Sequence, residues 1–102
     1  MSPDPLSAGG AGRNLAIVTA VGLDGPGILA RFTAKVAALR GNVIDLQQTL
    51  IGRYFTLVML VDISQGNLDF SAFRDQLTAE GEAVGVKVLV AHEDAFRAMH
   101  RV

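Results

Sequence analysis

The chain has 102 residues, half of them hydrophobic and 19% charged, with nine Lys and Arg against ten Asp and Glu for a formal charge of −1. That length holds one small domain, which buries only about 60–65% of its unfolded surface and so gains from oligomerisation. The absence of cysteine excludes disulfides, Cys-ligated zinc, iron–sulfur clusters and thiol catalysis, and the balanced charge argues against a nucleic-acid binder, which normally carries a basic excess.

Residues 1–13 are rich in Ser, Pro, Gly and Ala and read as a flexible tail ahead of a single domain over 14–102. The tail lacks the basic start and long apolar stretch of an export signal, so the expected location is cytoplasmic. The longest apolar run, Leu57 to Val61, falls far short of the roughly 20 residues that span a bilayer, and no membrane partner is expected.

Asn14 to Gly22 alternates small and larger apolar residues, dense in β-branched types, and reads as a first strand. The cluster Leu23-Asp24-Gly25-Pro26-Gly27 is a turn. Pro26 fits the first position of a helix, where its missing N–H is no loss. Ile28, Leu29, Phe32, Val36 and Leu39 recur at helical spacing, which predicts a helix over about 26–40 with Gly41 as its left-handed stop.

Asn42 to Gly52 alternates Ile44, Leu46 and Leu50 with Asp45, Gln47 and Thr49, as an edge strand does, and Gln48 points with the apolar set. From Arg53 to Ile63 both faces are apolar, as in a central strand, and Gly52-Arg53 marks a hairpin between the two. Asp69 is a candidate N-cap for a second helix, carrying Phe70, Phe73 and Leu77, to about Glu82. Val86, Val88 and Val90 alternate in a fourth strand. Ala95, Phe96 and Met99 then share one side of a short final helix.

The order β-α-β-β-α-β, with right-handed crossovers, predicts an α+β ferredoxin-like sandwich. Its antiparallel four-stranded sheet should run in order 4-1-3-2, with a short C-terminal helix appended. Such a fold decides no function by itself. Tyr54-Phe55 on strand three faintly echoes RNA-recognition domains, but strand one offers no stacking aromatic. Acylphosphatase-type chemistry needs an arginine at the phosphate-cradling loop, and Arg31 lies a full turn into the helix. No nucleophile–base or carboxylate pair emerges, and no enzyme is expected. His92 and His100 are eight residues apart, off the spacing that puts two ligands on one helix face, and read as exposed histidines rather than metal ligands. No cofactor is expected.

The turn at residues 22–27 delivers the chain into a helix N-terminus, where free N–H groups and the positive dipole end attract a carboxylate. Gly25 and Gly27 permit close approach of a ligand to the backbone, and Asp24 offers a carboxylate to an ammonium. Together these suit an α-amino acid. The simpler reading is that Asp24 and Pro26 only cap the helix.

The run Val21-Gly22-Leu23-Asp24-Gly25-Pro26-Gly27-Ile28-Leu29-Ala30, followed by Leu39-Arg40-Gly41-Asn42-Val43-Ile44-Asp45, resembles an ACT domain. Gln48-Thr49, Tyr54-Phe55-Thr56 and Ala95-Phe96-Arg97-Ala98-Met99 are similar to stand-alone bacterial members of uncharacterised function. Those in turn look related to the ACT domains of glycine-cleavage repressors and formyltetrahydrofolate deformylases. The resemblance implies regulatory binding of an amino acid or related metabolite at a homodimer interface. Residue by residue, it places ligand contacts at Asp24, Gly25, Pro26, Gly27 and Ile28 of one subunit, with Asn42 and Val43 opposite. No fused effector is in view, so any output is expected through a partner protein in trans. A ligand-free homodimeric interaction module is the alternative. The sheet face away from the helices, with Val58, Leu60 and Leu89, needs a cover, which a second subunit or Phe96 and Met99 would supply.

Overall fold

The computed structural model describes residues 14–66 and 69–95. Its elements are β1 (Leu15–Leu23), α1 (Ile28–Ala38), β2 (Asn42–Ile51), β3 (Tyr54–Asp62), α2 (Phe70–Val84) and β4 (Val86–His92). The four strands form one antiparallel sheet in the order β2-β3-β1-β4, the expected ferredoxin-like arrangement. Both helices pack on one face. Residues 93–95 begin a further helical turn, while the expected positions of Phe96, Met99 and His100, like the tail 1–13, lie outside the described residues.

Alternation along each strand decides which side chains enter the core. Ala16, Val18 and Ala20 of β1, the odd residues Phe55 to Val61 of β3 and Val86, Val88 and Val90 of β4 are buried beneath the helices. They meet Ile28, Phe32 and Val36 of α1 and Phe73 and Leu77 of α2. Leu29 and Leu39 of the predicted stripe are partly buried against the same cluster.

The helix ends differ from expectation for local reasons. α1 begins at Ile28 rather than near 26, because Gly27 is left-handed (φ 77°, ψ 6°) and interrupts helical geometry between Pro26 and the helix. At its other end the left-handed residue is Arg40 (φ 62°), not Gly41. The Gly41 N–H donates to the Val36 carbonyl and the Arg40 N–H to the Ala37 carbonyl, each at 2.9 Å, a Schellman pattern. Gly41 is needed for space: a Cβ there would lie 2.9 Å from Val36 Cγ1 and 3.0 Å from Val61 Cγ1. Asp69 caps α2 as expected, its carboxylate accepting from the Ala72 N–H at 2.9 Å. That helix runs on to Val84, two residues past Glu82, and stops at Gly85.

β2 carries a bulge at Ile44, between the Val43–Val61 and Asp45–Leu60 pairs. Val43 therefore shares the helix-side face with Leu46. Gln48 is on that face too but is exposed, because β2 is the sheet edge and no helix reaches over its far end. His92 is half-buried rather than exposed: its ring packs on Phe70 with centroids 5.4 Å apart. Its Nδ1 accepts from the Asp94 N–H at 3.1 Å, which leaves Nε2 to carry the proton toward Asn14 Oδ1. Among the described residues, no helix is long and apolar enough to cross a membrane.

Candidate functional site

Asp24 to Gly27 form the link between the top of β1 and the start of α1. One bond fixes this link to the sheet: the Asp24 N–H donates to the Arg53 carbonyl at 2.8 Å, tying it to the β2–β3 hairpin. The Asp24 side chain makes no hydrogen bond or ion pair among the described residues and is exposed. It is not the cap of α1. The N-cap is Gly27, which has no side chain to offer, and the first turn holds no acidic residue. Beyond the Arg31 N–H, which reaches the Gly27 carbonyl at 3.0 Å, the leading N–H groups of α1 have no capping side chain. The capping explanation of Asp24 and Pro26 thus loses its geometric basis. What remains is an uncapped, electropositive helix start with an unengaged carboxylate three residues before it.

Gly27 sets this geometry. At a φ of 77° an L side chain is strained, although no atom lies within 4 Å of its would-be Cβ. Gly27→Ala is expected to cost about 1–2 kcal/mol. Gly25→Ala is expected to be near neutral, since its Cβ would meet only Ile28 Cδ1, at 3.6 Å. Urea unfolding of the two variants checks the pair, and the reverse ranking would contradict this loop conformation.

Asn42 and Val43 lie elsewhere. Asn42 is level with Asp62 and Leu15, whereas the loop leaves from Leu23, level with Tyr54 and Ile51. Eight residues of β1 separate the two ends, about 26 Å. One chain therefore brings Asp24, Gly25, Pro26, Gly27 and Ile28 together and leaves Asn42 and Val43 at the opposite end of the sheet.

Arg31, which could otherwise serve an anion at the helix start, is committed to α2, with its Nε 2.8 Å from Glu80 Oε1. Tyr54 is exposed, but Phe55 is fully buried, so the echo of an RNA-stacking pair does not survive folding. Among the described residues no cluster of three or more His, Asp or Glu could hold a metal. A shallow depression lies on the helix-free face, lined by Asp45, Leu46, Gln47, Val58 and Leu60. The Asp45 carboxylate accepts the N–H of the next residue, Leu46, at 2.8 Å through Oδ1. The Asp45 carboxylate and the Gln47 amide then stand over an apolar floor with no helix start to receive a carboxylate, a poorer match to a zwitterion than the loop. The Asp24–Arg53 bond was not readable from the sequence, because it depends on the hairpin and β1 ending level.

The ACT domain family profile matches residues 14–91. A UPF0237 protein of Methanosarcina mazei is 44% identical over 86 residues, covering 84% of this chain and 94% of that one. Among solved structures, an ACT domain protein from Streptococcus pneumoniae superposes with a TM-score of 0.71 at 32% identity, over 87% of this chain and 96% of that one. A putative glycine cleavage system transcriptional repressor also gives 0.71, at 28% identity, over 78% of this chain but 46% of its own.

Proposed function

The chain belongs to the ACT domain family, and from that premise we propose that it is a non-catalytic sensor of an α-amino acid or closely related metabolite. The observation that carries this reading is the start of α1, with N–H groups that no side chain caps and the free Asp24 carboxylate beside them. A ligand carboxylate would take the N–H groups, and its ammonium would take Asp24. Asn42 and Val43 complete the site only from a second copy. β2 is an edge strand, and antiparallel pairing of two β2 edges would lay Asn42 of one chain near Ile51 of the other. That end of the sheet holds the loop, through the Asp24–Arg53 bond. The occupied state would then be read by an effector protein in trans.

A thermal-shift screen against the twenty amino acids tests the proposal. One of them at about 100 times its dissociation constant should add about 2.7 kcal/mol, a rise of roughly 10–20 °C for a domain of this size. No shift from any of the twenty would sink the sensor reading in favour of a ligand-free interaction module. Asp24→Asn and Asn42→Ala should each weaken binding at least tenfold. Co-refolding these two variants should regain tight binding in the mixed dimers, since one of the two shared sites then holds neither change. Failure of that rescue, with wild-type binding intact, would leave a sensor but reject a site shared between chains.

A further inference from the structure

His92 closes β4 and immediately precedes the helical turn at 93–95, which places it at the N-cap of that turn. Caps are normally Ser, Thr, Asp or Asn, whose oxygen accepts an N–H of the first turn. Here the acceptor is an imidazole nitrogen: Nδ1 takes the Asp94 N–H at 3.1 Å. The other ring nitrogen, Nε2, is bonded to Asn14 Oδ1, and since that oxygen only accepts, Nε2 carries the proton. The neutral ring thus has one donor and one acceptor, and both are used. Phe70, the first residue of α2, packs against it with centroids 5.4 Å apart. One side chain therefore joins the residue before β1, the turn after β4 and the start of α2.

We propose that His92 is a pH-sensitive cap: neutral, it fastens the turn at 93–95 to the start of β1, and protonated, it releases the Asp94 N–H. The chemistry is a change of role at one atom. A proton on Nδ1 turns the acceptor into a donor, and two N–H groups then face each other. The turn also presents the positive ends of its N–H groups to a positive ring. A partner for the new Nδ1–H is at hand, because Asp94 Oδ2 lies 3.6 Å from Nδ1. The charged state trades a bond to the Asp94 backbone for an ion pair with its side chain, and the backbone N–H is left to water. Histidine is the side chain whose charge ordinarily changes between pH 5 and 8, so an Asn or Asp cap would have no such second state in that range.

The groups around the ring centre the switch on Asp94. On the same segment Glu93 is buried, and Asp94 is the acid in ion-pairing range of the ring. From α2 the ring meets Phe70, whose neighbour Asp69 gives its carboxylate to the Ala72 N–H. From β1 it meets Asn14, and it is level with Ala16, both uncharged. On β3 Asp62 is at this end of the sheet but on the helix-free face, and its Oδ1 accepts from the Ser64 N–H and hydroxyl. Leu23 lies seven residues of β1 beyond Ala16, about 23 Å. The cap is therefore remote from the loop at 24–27, and the inference stands whether or not an amino acid binds there.

Nitrogen-15 NMR of the full chain between pH 8 and pH 5 tests it. At pH 8 the His92 ring should be the Nε2–H tautomer. As the ring takes up its proton, the Asp94 amide should shift with the same midpoint. Its protection against solvent exchange should fall about fivefold, the change expected for loss of one cap. His92→Asn keeps an acceptor oxygen at the cap and should hold that amide equally protected at both pH values. His100→Gln, at the other histidine of the chain, should respond as the wild type does. A ring that stays neutral down to pH 5, an Nδ1–H tautomer at pH 8, or unchanged Asp94 protection on protonation overturns the inference from the wild type alone. So does a wild-type response in His92→Asn, or its loss in His100→Gln.

Discussion

Phe32→Ala is expected to remove about 3–5 kcal/mol of stability, the usual cost of deleting a fully enclosed aromatic ring. Phe32 is at 0% exposure in the middle of α1, between Ile28 and Val36 on the buried stripe. It is one of three phenylalanines, with Phe55 and Phe73, among the largest fully buried side chains. They come from α1, β3 and α2, so the centre of the core is shared by every layer. At about 0.05–0.15 kcal/mol per residue, the roughly 80 described residues supply about 4–12 kcal/mol in all. The variant should therefore be marginally folded at 25 °C. Urea titration should show a fall in midpoint with an unchanged slope, and Phe32→Leu should lose about a third as much. A loss below about 1 kcal/mol for the alanine variant would mean that α1 is not held on the sheet by this ring.

The sequence made the periodic parts of this fold legible. β3 reads as central because Val58 and Leu60 are as apolar as Phe55 and Leu57, and it lies between β2 and β1. The stripe of α1 and the Asp69 cap were equally plain. Residues whose role depends on a distant neighbour were not. Gly41 resembles a helix stop, but its missing side chain makes room for Val61 on β3, and Arg40 takes the left-handed turn. Gly-Pro-Gly announces a turn without saying which glycine has positive φ, so the start of α1 was misplaced. His92 reads as a surface residue until Phe70 and Asn14, from two other parts of the chain, close around it. The site shows the same division. Its loop was visible as a motif, while the uncapped helix start, the bond to Arg53 and the distance to Asn42 exist only in three dimensions.

Gly81→Ala should lower stability by about 1–3 kcal/mol, opposite in sign to the usual effect of that change. In an ordinary helix interior, alanine gains about 0.8–1 kcal/mol over glycine. Gly81 is buried within α2, on the side that faces β4. A Cβ there would lie 2.4 Å from Val88 Cγ2 and 2.7 Å from the Val86 carbonyl oxygen. Val88 can rotate away at a modest cost, but the carbonyl belongs to the sheet and cannot. The helix must lift, and because Phe73 and Leu77 are on the same helix, lifting it loosens the core they fill. Ala79→Gly, at an exposed position of the same helix, should lose about 1 kcal/mol and calibrates the propensity term. If Gly81→Ala stabilised the protein by a similar amount, the close approach of α2 to β4 would be refuted.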